Sequence, residues 1–129
     1  MNRPRNPAQI KAPLGAYHHA VEAPTGARTL YISGQVGVDA DGNIPADARG
    51  QLEIAWANIR AILAEANMGI PDIVKVTTFI TRQEDFAVHP AVRNEMLGDH
   101  RAAATAVAVS ALATPELLVE VDVIAAASP

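Results

Sequence analysis

The chain has 129 residues, a formal net charge of −4 and a pI of about 5.4. Hydrophobic residues make up 50% and charged residues 19%, which suits one packed domain and argues against a disordered chain. The acidic balance argues against a nucleic-acid-binding surface, and the absence of cysteine excludes disulfides, thiolate zinc sites and cysteine nucleophiles.

Residues 1–14 are rich in proline and asparagine and read as an extended arm, with Arg3 and Arg5 in a frayed tail. This N-terminus lacks an apolar signal core, and no run reaches the roughly 20 apolar residues of a membrane span. A single soluble cytoplasmic domain over residues 1–129 is the expectation. Tyr17 to Glu22 and Thr29 to Ser33 read as strands, and the Pro24-Thr25-Gly26 turn between them predicts a hairpin. Asp39 to Asn43 is a loop. From Ala46 to Asn67 the period changes: Leu52, Ala55, Trp56, Ile59, Leu63 and Ala66 recur at helical steps. Pro45 suits the first turn of this helix and Gly69 its end, and Trp56 falls on the apolar stripe as a core anchor.

Asp72 to Thr81 is β-branched and predicts a strand. Strand, long helix and strand in series predict a right-handed crossover and a parallel pair. Ala91 to Leu97 forms a short second helix, with His89-Pro90 at its start. Ala104 to Leu112 and Leu117 to Ala126 are two more strands, which the Thr114-Pro115-Glu116 turn predicts to pair antiparallel. The order β-β-α-β-α-β-β is an α+β layer, a mixed β-sheet with two helices packed on one face. The other face carries apolar side chains that a monomer rarely leaves wet, so self-association is expected.

The last strand holds the main chemical signal. In Leu117-Leu118-Val119-Glu120-Val121-Asp122-Val123-Ile124, alternation puts Glu120 and Asp122 on one face and the valines on the other. A carboxylate in so apolar a run needs a partner, water in a pocket, or a shifted pKa. The same pattern also serves as the polar outer face of a half-exposed strand. His18 and His19 are adjacent and point to opposite faces of a strand, and no His-x-x-x-His pair sits on a helix, so no metal site is expected. His89 is either a neutral hydrogen-bonding group in a cleft or a helix-entry residue. A phosphate loop, a dinucleotide glycine fingerprint and a Gly-x-Ser-x-Gly elbow are all absent, so no cofactor is expected.

Four segments carry a resemblance: Gly15-Ala16-Tyr17, Ser33-Gly34-Gln35-Val36, Asp72-Ile73-Val74-Lys75-Val76 and Leu118-Val119-Glu120-Val121. Their order and spacing, from about residue 13 to residue 127, resemble the reactive-intermediate deaminase (Rid, YjgF-like) family. The resemblance implies a chorismate-mutase-like fold and a homotrimer with small-molecule clefts between subunits. It also implies hydrolysis of enamines and imines released by pyridoxal-phosphate enzymes. Some relatives are labelled ribonucleases, a label the net acidity gives little support. By motif, the resemblance assigns Glu120 to positioning the attacking water and Tyr17, Ser33 and Gly34 to the cleft; His89 and Thr105, which match no family motif, are expected to line it as well.

The chain departs from the family pattern at three places. The arginine that grips a substrate carboxylate is Ala104, the asparagine at the second helix falls near His89, and the serine after the tyrosine is His18. Losing a bidentate guanidinium–carboxylate pair costs about 2–5 kcal/mol in binding. Arg101 lies about 10 Å away along a strand and does not inherit the role. The resemblance therefore leaves two readings: a deaminase with a changed substrate, or a metabolite-binding or interaction protein on the same scaffold.

Overall fold

The computed structural model describes residues 1–129. The strands are β1 (Arg3–Arg5), β2 (Ala20–Glu22), β3 (Arg28–Val36), β4 (Ile73–Ile80), β5 (Ala103–Ala108) and β6 (Val119–Ala127). The helices are α1 (Ala48–Glu65) and α2 (Val88–Leu97), with short 3₁₀ turns at Ile70–Asp72 and Gln83–Ala87. The α+β class and the two helices agree with the sequence reading.

The strand order does not. The main sheet runs β3-β6-β4-β5, with β6 antiparallel to both β3 and β4, and β4 parallel to β5. The last two strands therefore do not pair with each other, because β4 lies between them. Nor do β3 and β4 pair across α1: β6 fills that gap, and the parallel pair is instead the one bridged by α2. Central placement buries the valine face of β6 completely, which an edge position would not.

β2 also pairs elsewhere. It runs antiparallel to β1, so the predicted β2–β3 hairpin is replaced by a ribbon with the N-terminal arm. Arg5 forms an ion pair with Glu22, and the Asn2 side chain donates to the Ala126 carbonyl at 2.9 Å. These contacts hold residues 2–5 against the domain, where a frayed tail was expected.

α1 forms where its stripe predicts. Leu52, Ala55, Trp56, Ile59 and Leu63 are each at most 1% exposed and pack on Val76, Ile80, Val119, Val121 and Val123 of the sheet. Each large side chain buried this way contributes about 1.5–3 kcal/mol. Asn67, rather than Gly69, ends the helix, in the left-handed conformation at φ 55°. The Asn67 N–H donates to Ala64 O at 3.0 Å and the Met68 N–H to Leu63 O at 2.8 Å, which closes the last turn. Gly69 instead opens the following 3₁₀ turn, its N–H donating to Asp72 Oδ2 at 2.9 Å.

Gln51 lies in the same stripe and is fully buried. Its Nε2 donates to Pro45 O at 2.8 Å and Glu116 O at 2.9 Å, and its Oε1 accepts from the Leu118 N–H at 2.8 Å. One amide thus ties the loop before α1 to the loop before β6. Gly37 makes room for it, since a Cβ there would collide with the Gln51 backbone.

Candidate functional site

Both helices cover one face of the sheet. The other face carries Tyr31, Lys75, Thr77, Phe79, Thr105, Val107, Glu120, Asp122 and Ile124, fixed by the pairings Tyr31–Ile124, Phe79–Glu120, Thr77–Asp122 and Thr77–Thr105. Tyr31 is 76% exposed and Val107 37%. The alternation read from the sequence holds: Glu120 and Asp122 are half-buried on this open face, and Val119, Val121 and Val123 are buried beneath it.

Glu120 has a built seat. The register of β3 against β6 slips between Ile32 and Gln35, so Ser33-Gly34 forms a bulge. Gly34 lies directly under the Glu120 side chain, and a Cβ at this position would overlap its carboxylate. The four ion pairs of the protomer are Arg5–Glu22, Arg49–Glu53, Arg49–Glu95 and Arg82–Asp85. None involves Glu120, so its carboxylate stands on a glycine platform beside the exposed Ser33 with no cation against it.

The other sequence-predicted residues lie elsewhere. Thr105 shares the open face but sits two strands from β6, roughly 10 Å across the sheet. Its hydroxyl accepts from Lys75 Nζ at 2.7 Å. Tyr17 and His18 run alongside the start of β5, with the His18 N–H donating to Ala102 O at 2.9 Å. His89 lies in the first turn of α2, where the helix-entry reading places it, 8% exposed, with Nδ1 buried and unpartnered. Burial, and then the Arg93 charge, push its pKa down to about 4, so it is neutral at pH 7. One protomer therefore brings Glu120, Ser33 and Gly34 together and holds Tyr17 and His89 apart from them.

The remaining histidines are separated and engaged with backbone or amide groups. His18 Nδ1 meets Asn6 Nδ2 at 3.0 Å, His19 Nε2 meets Lys11 O at 2.7 Å, and His100 Nε2 meets Ile73 O at 2.8 Å. The largest surface groove, about 480 Å³, lies between Thr81 and the 110–117 loop and includes none of the predicted residues.

Sequence reasoning missed Arg93. It lies one turn after His89 on α2 and is 8% exposed. Burial and the neighbouring Arg101 lower its pKa, with the Tyr17 phenol opposing. The signal available in the sequence was a polar pair, His89 and Arg93, on the apolar side of a short helix. Arg101 donates through Nη1 to Gly98 O at 2.6 Å and His100 O at 2.8 Å, closing the C-terminal end of α2.

A mixed sheet backed by two helices, with an unpaired carboxylate seated on a glycine bulge, defines an α+β scaffold. The family model described as endoribonuclease L-PSP matches residues 8–127, and the chain belongs to this family, the Rid or YjgF-like proteins. A RutC family protein of Pyrococcus abyssi is 32% identical over 115 residues, covering 88% of this chain and 87% of that one. The 2-iminobutanoate/2-iminopropanoate deaminase of Dermatophagoides farinae is 31% identical over 86 residues, covering 65% of this chain and 62% of that one. Among solved structures, the Rid family protein YyfB of Yersinia pestis superposes with a TM-score of 0.85 at 31% identity, covering 96% of this chain and 97% of that one. No helix is long and apolar enough to cross a membrane.

Proposed function

We propose that this protein hydrolyses small enamines or imines to a carbonyl compound and ammonia, in clefts formed where copies of a homotrimer meet. An enamine first takes a proton at carbon to become the imine. Water adds to the C=N carbon, and the proton it sheds passes through Glu120 to the nitrogen, giving a neutral carbinolamine. The carbinolamine then collapses to the carbonyl, its hydroxyl proton passing through Glu120 to the nitrogen, which leaves as ammonia. The observation that carries this reading is the Glu120 carboxylate, unpaired and half-buried on Gly34 on the open face of the sheet. The Ser33-Gly34 bulge lies outside the ladder register, so its backbone donors can receive a substrate oxygen. The relative named as an iminobutanoate and iminopropanoate deaminase supports the substrate class.

Self-association is supported by the same face, where exposed Tyr31 and Val107 lie beside half-buried Phe79 and Ile124. A second copy placed there can bring a Tyr17 and α2 corner to Glu120, joining residues that one protomer keeps apart. The endoribonuclease description of the family gains nothing from this surface, whose two carboxylates repel a phosphate backbone.

Ammonia release from freshly generated 2-aminoacrylate and a panel of imines tests the proposal, with sedimentation giving the assembly mass. Glu120→Gln is expected to lower turnover by about 10²–10⁴-fold at an unchanged melting midpoint. Turnover that survives this change removes Glu120 from its role. Gly34→Ala pushes the carboxylate off its seat and is expected to lower turnover at least about 10-fold.

A further inference from the structure

The segment from residue 7 to Tyr17 is a loop closed at its neck by one side chain. Asn6 Oδ1 accepts from the His19 backbone N–H at 2.8 Å, and Asn6 Nδ2 meets His18 Nδ1 at 3.0 Å. Two more bonds brace the loop: His19 Nε2 meets Lys11 O at 2.7 Å, and the Leu14 N–H donates to the Tyr17 hydroxyl at 3.3 Å. A closed neck with internal braces is the form of an Ω-loop. From the other side β5 holds the same segment, the His18 N–H donating to Ala102 O at 2.9 Å.

The polarity of the neck is forced. A backbone N–H only donates, so the Asn6 atom facing His19 is the oxygen. The amide nitrogen is thereby turned to His18, and it too only donates. His18 Nδ1 must accept, which requires a bare nitrogen and a neutral ring. An imidazolium carries N–H on both nitrogens and would face Asn6 donor to donor. Flipping the amide moves the same conflict to the His19 N–H, so one of the two neck bonds is lost either way. No other histidine is placed like this. His19 and His100 meet the carbonyls of Lys11 and Ile73, which need an N–H that the ring keeps in both charge states. His89 makes no bond through its buried Nδ1.

The charges around His18 are of both signs. Asp99, His100 and Arg101 line a groove with it from the turn after α2, and the ribbon side of that groove is uncharged. Arg101 is tied to the Gly98 and His100 carbonyls. Lys75, level with Ala103 on the next strand, is tied to Thr105, and Arg5 is paired with Glu22. Lys11 belongs to the loop itself, and none of these groups forms an ion pair with His18.

We propose that Asn6 and His18 form an acid-released clasp on the loop that carries Tyr17: the neck is shut while His18 is neutral and opens when the ring takes a proton, with Asn6 acting as a positioning residue for Tyr17. Imidazole is the side-chain group that changes charge between about pH 5 and 8, so mild acid is enough to work the clasp. The clasp stands on its own bonds; its bearing on catalysis, through Tyr17, rests on the imine-hydrolysis reading above.

Amide hydrogen exchange of the full-length protein, resolved by peptide at about pH 8 and about pH 5 and corrected for intrinsic rates, tests this directly. In wild type the segment from residue 8 to His19 is expected to lose about 5-fold or more of its protection in acid, measured against α1 and β6. His18→Asn puts an amide oxygen in place of Nδ1, an acceptor at every pH, and is expected to abolish the acid loss. Asn6→Asp offers oxygen to both His18 and the His19 N–H and is expected to stay shut in acid. Asn6→Ala is expected to leave the loop open at both pH values. His19→Gln keeps an N–H toward Lys11 and is expected to leave the acid loss intact. No acid loss in wild type overturns the proposal, as does a loss that persists in His18→Asn or Asn6→Ala, or one that vanishes in His19→Gln. Should His18→Asn not fold, the two Asn6 variants decide, since Asn6 is exposed. Exchange as expected in a protein that hydrolyses no imine retires the deaminase reading and leaves the clasp standing. Where imines are hydrolysed, kcat/KM is expected to fall more steeply in acid for wild type than for His18→Asn, and equal profiles overturn the positioning of Tyr17 by Asn6.

Discussion

The two helices lie on the same side of one sheet, and each buries polar side chains, but they treat them in opposite ways. On α1, Gln51 has both ends of its amide engaged, by Pro45, Glu116 and Leu118. On α2, His89 keeps an unpartnered Nδ1, and Arg93 keeps a guanidinium that meets one distant amide oxygen. A satisfied buried polar group is part of the architecture; an unsatisfied one is a deficit the fold tolerates for some other gain. The contrast marks α1 as the helix whose buried polar group is matched and α2 as the one whose buried polar groups are not.

Three measurements test that contrast. The largest effect belongs to Gln51→Leu, which leaves the Leu118 N–H and two carbonyls without their partner. It is expected to cost about 3 kcal/mol at any pH in denaturant unfolding, and a loss below about 1 kcal/mol would mean the amide is not the staple described.

His89 gives a smaller effect that appears only in acid. Its folded pKa of about 4 lies below the ordinary 6.5. As pH falls through 6.5 the unfolded chain takes up a proton that the folded chain refuses. Stability is therefore lost between about pH 6.5 and 4 and levels off below, to at most about 3 kcal/mol. His89→Leu is expected to flatten that part of the stability profile and to leave stability above pH 7 little changed. An unaltered acid slope would place its origin in other groups.

The smallest effect is expected where the helices meet. Arg49 on α1 reaches both carboxylate oxygens of Glu95 on α2, at 2.8 and 2.7 Å, and Glu53 at 3.6 Å. All three side chains are about half exposed, so salt screens them. Arg49→Ala should shift the melting midpoint slightly at low ionic strength and not at all in high salt. A large shift that persists in salt would show α2 to be fastened to the scaffold more firmly than the contrast allows.

Much of this was legible in the chain itself. The stripe from Leu52 to Leu63 and the alternation from Val119 to Val123 are local periodicities, and they placed α1, β6 and the face that bears Glu120. The order of strands was not legible, because pairing between β6 and both β3 and β4 is decided by which arrangement buries the valine face. The turn at Thr114-Pro115-Glu116 favoured a hairpin locally, and the central position of β6 outweighed it. The Pro24-Thr25-Gly26 turn was likewise overruled, by an N-terminal arm that took the β2 edge.

The candidate site was half legible. Ser33, Gly34 and Glu120 could be read from motif, and the structure seats the carboxylate on the glycine. Arg93 could not, since a polar residue on the inner side of a helix looks the same whether its partners exist or not. Gln51 finds its partners 65 and 67 residues away in the chain, and His89 and Arg93 find none comparable. Sequence alone determined which side chains face inward, because that follows from the repeat of helix and strand. Only the tertiary structure decided which of those inward polar groups are matched, because a hydrogen bond depends on what the distant parts of the chain bring within 3 Å.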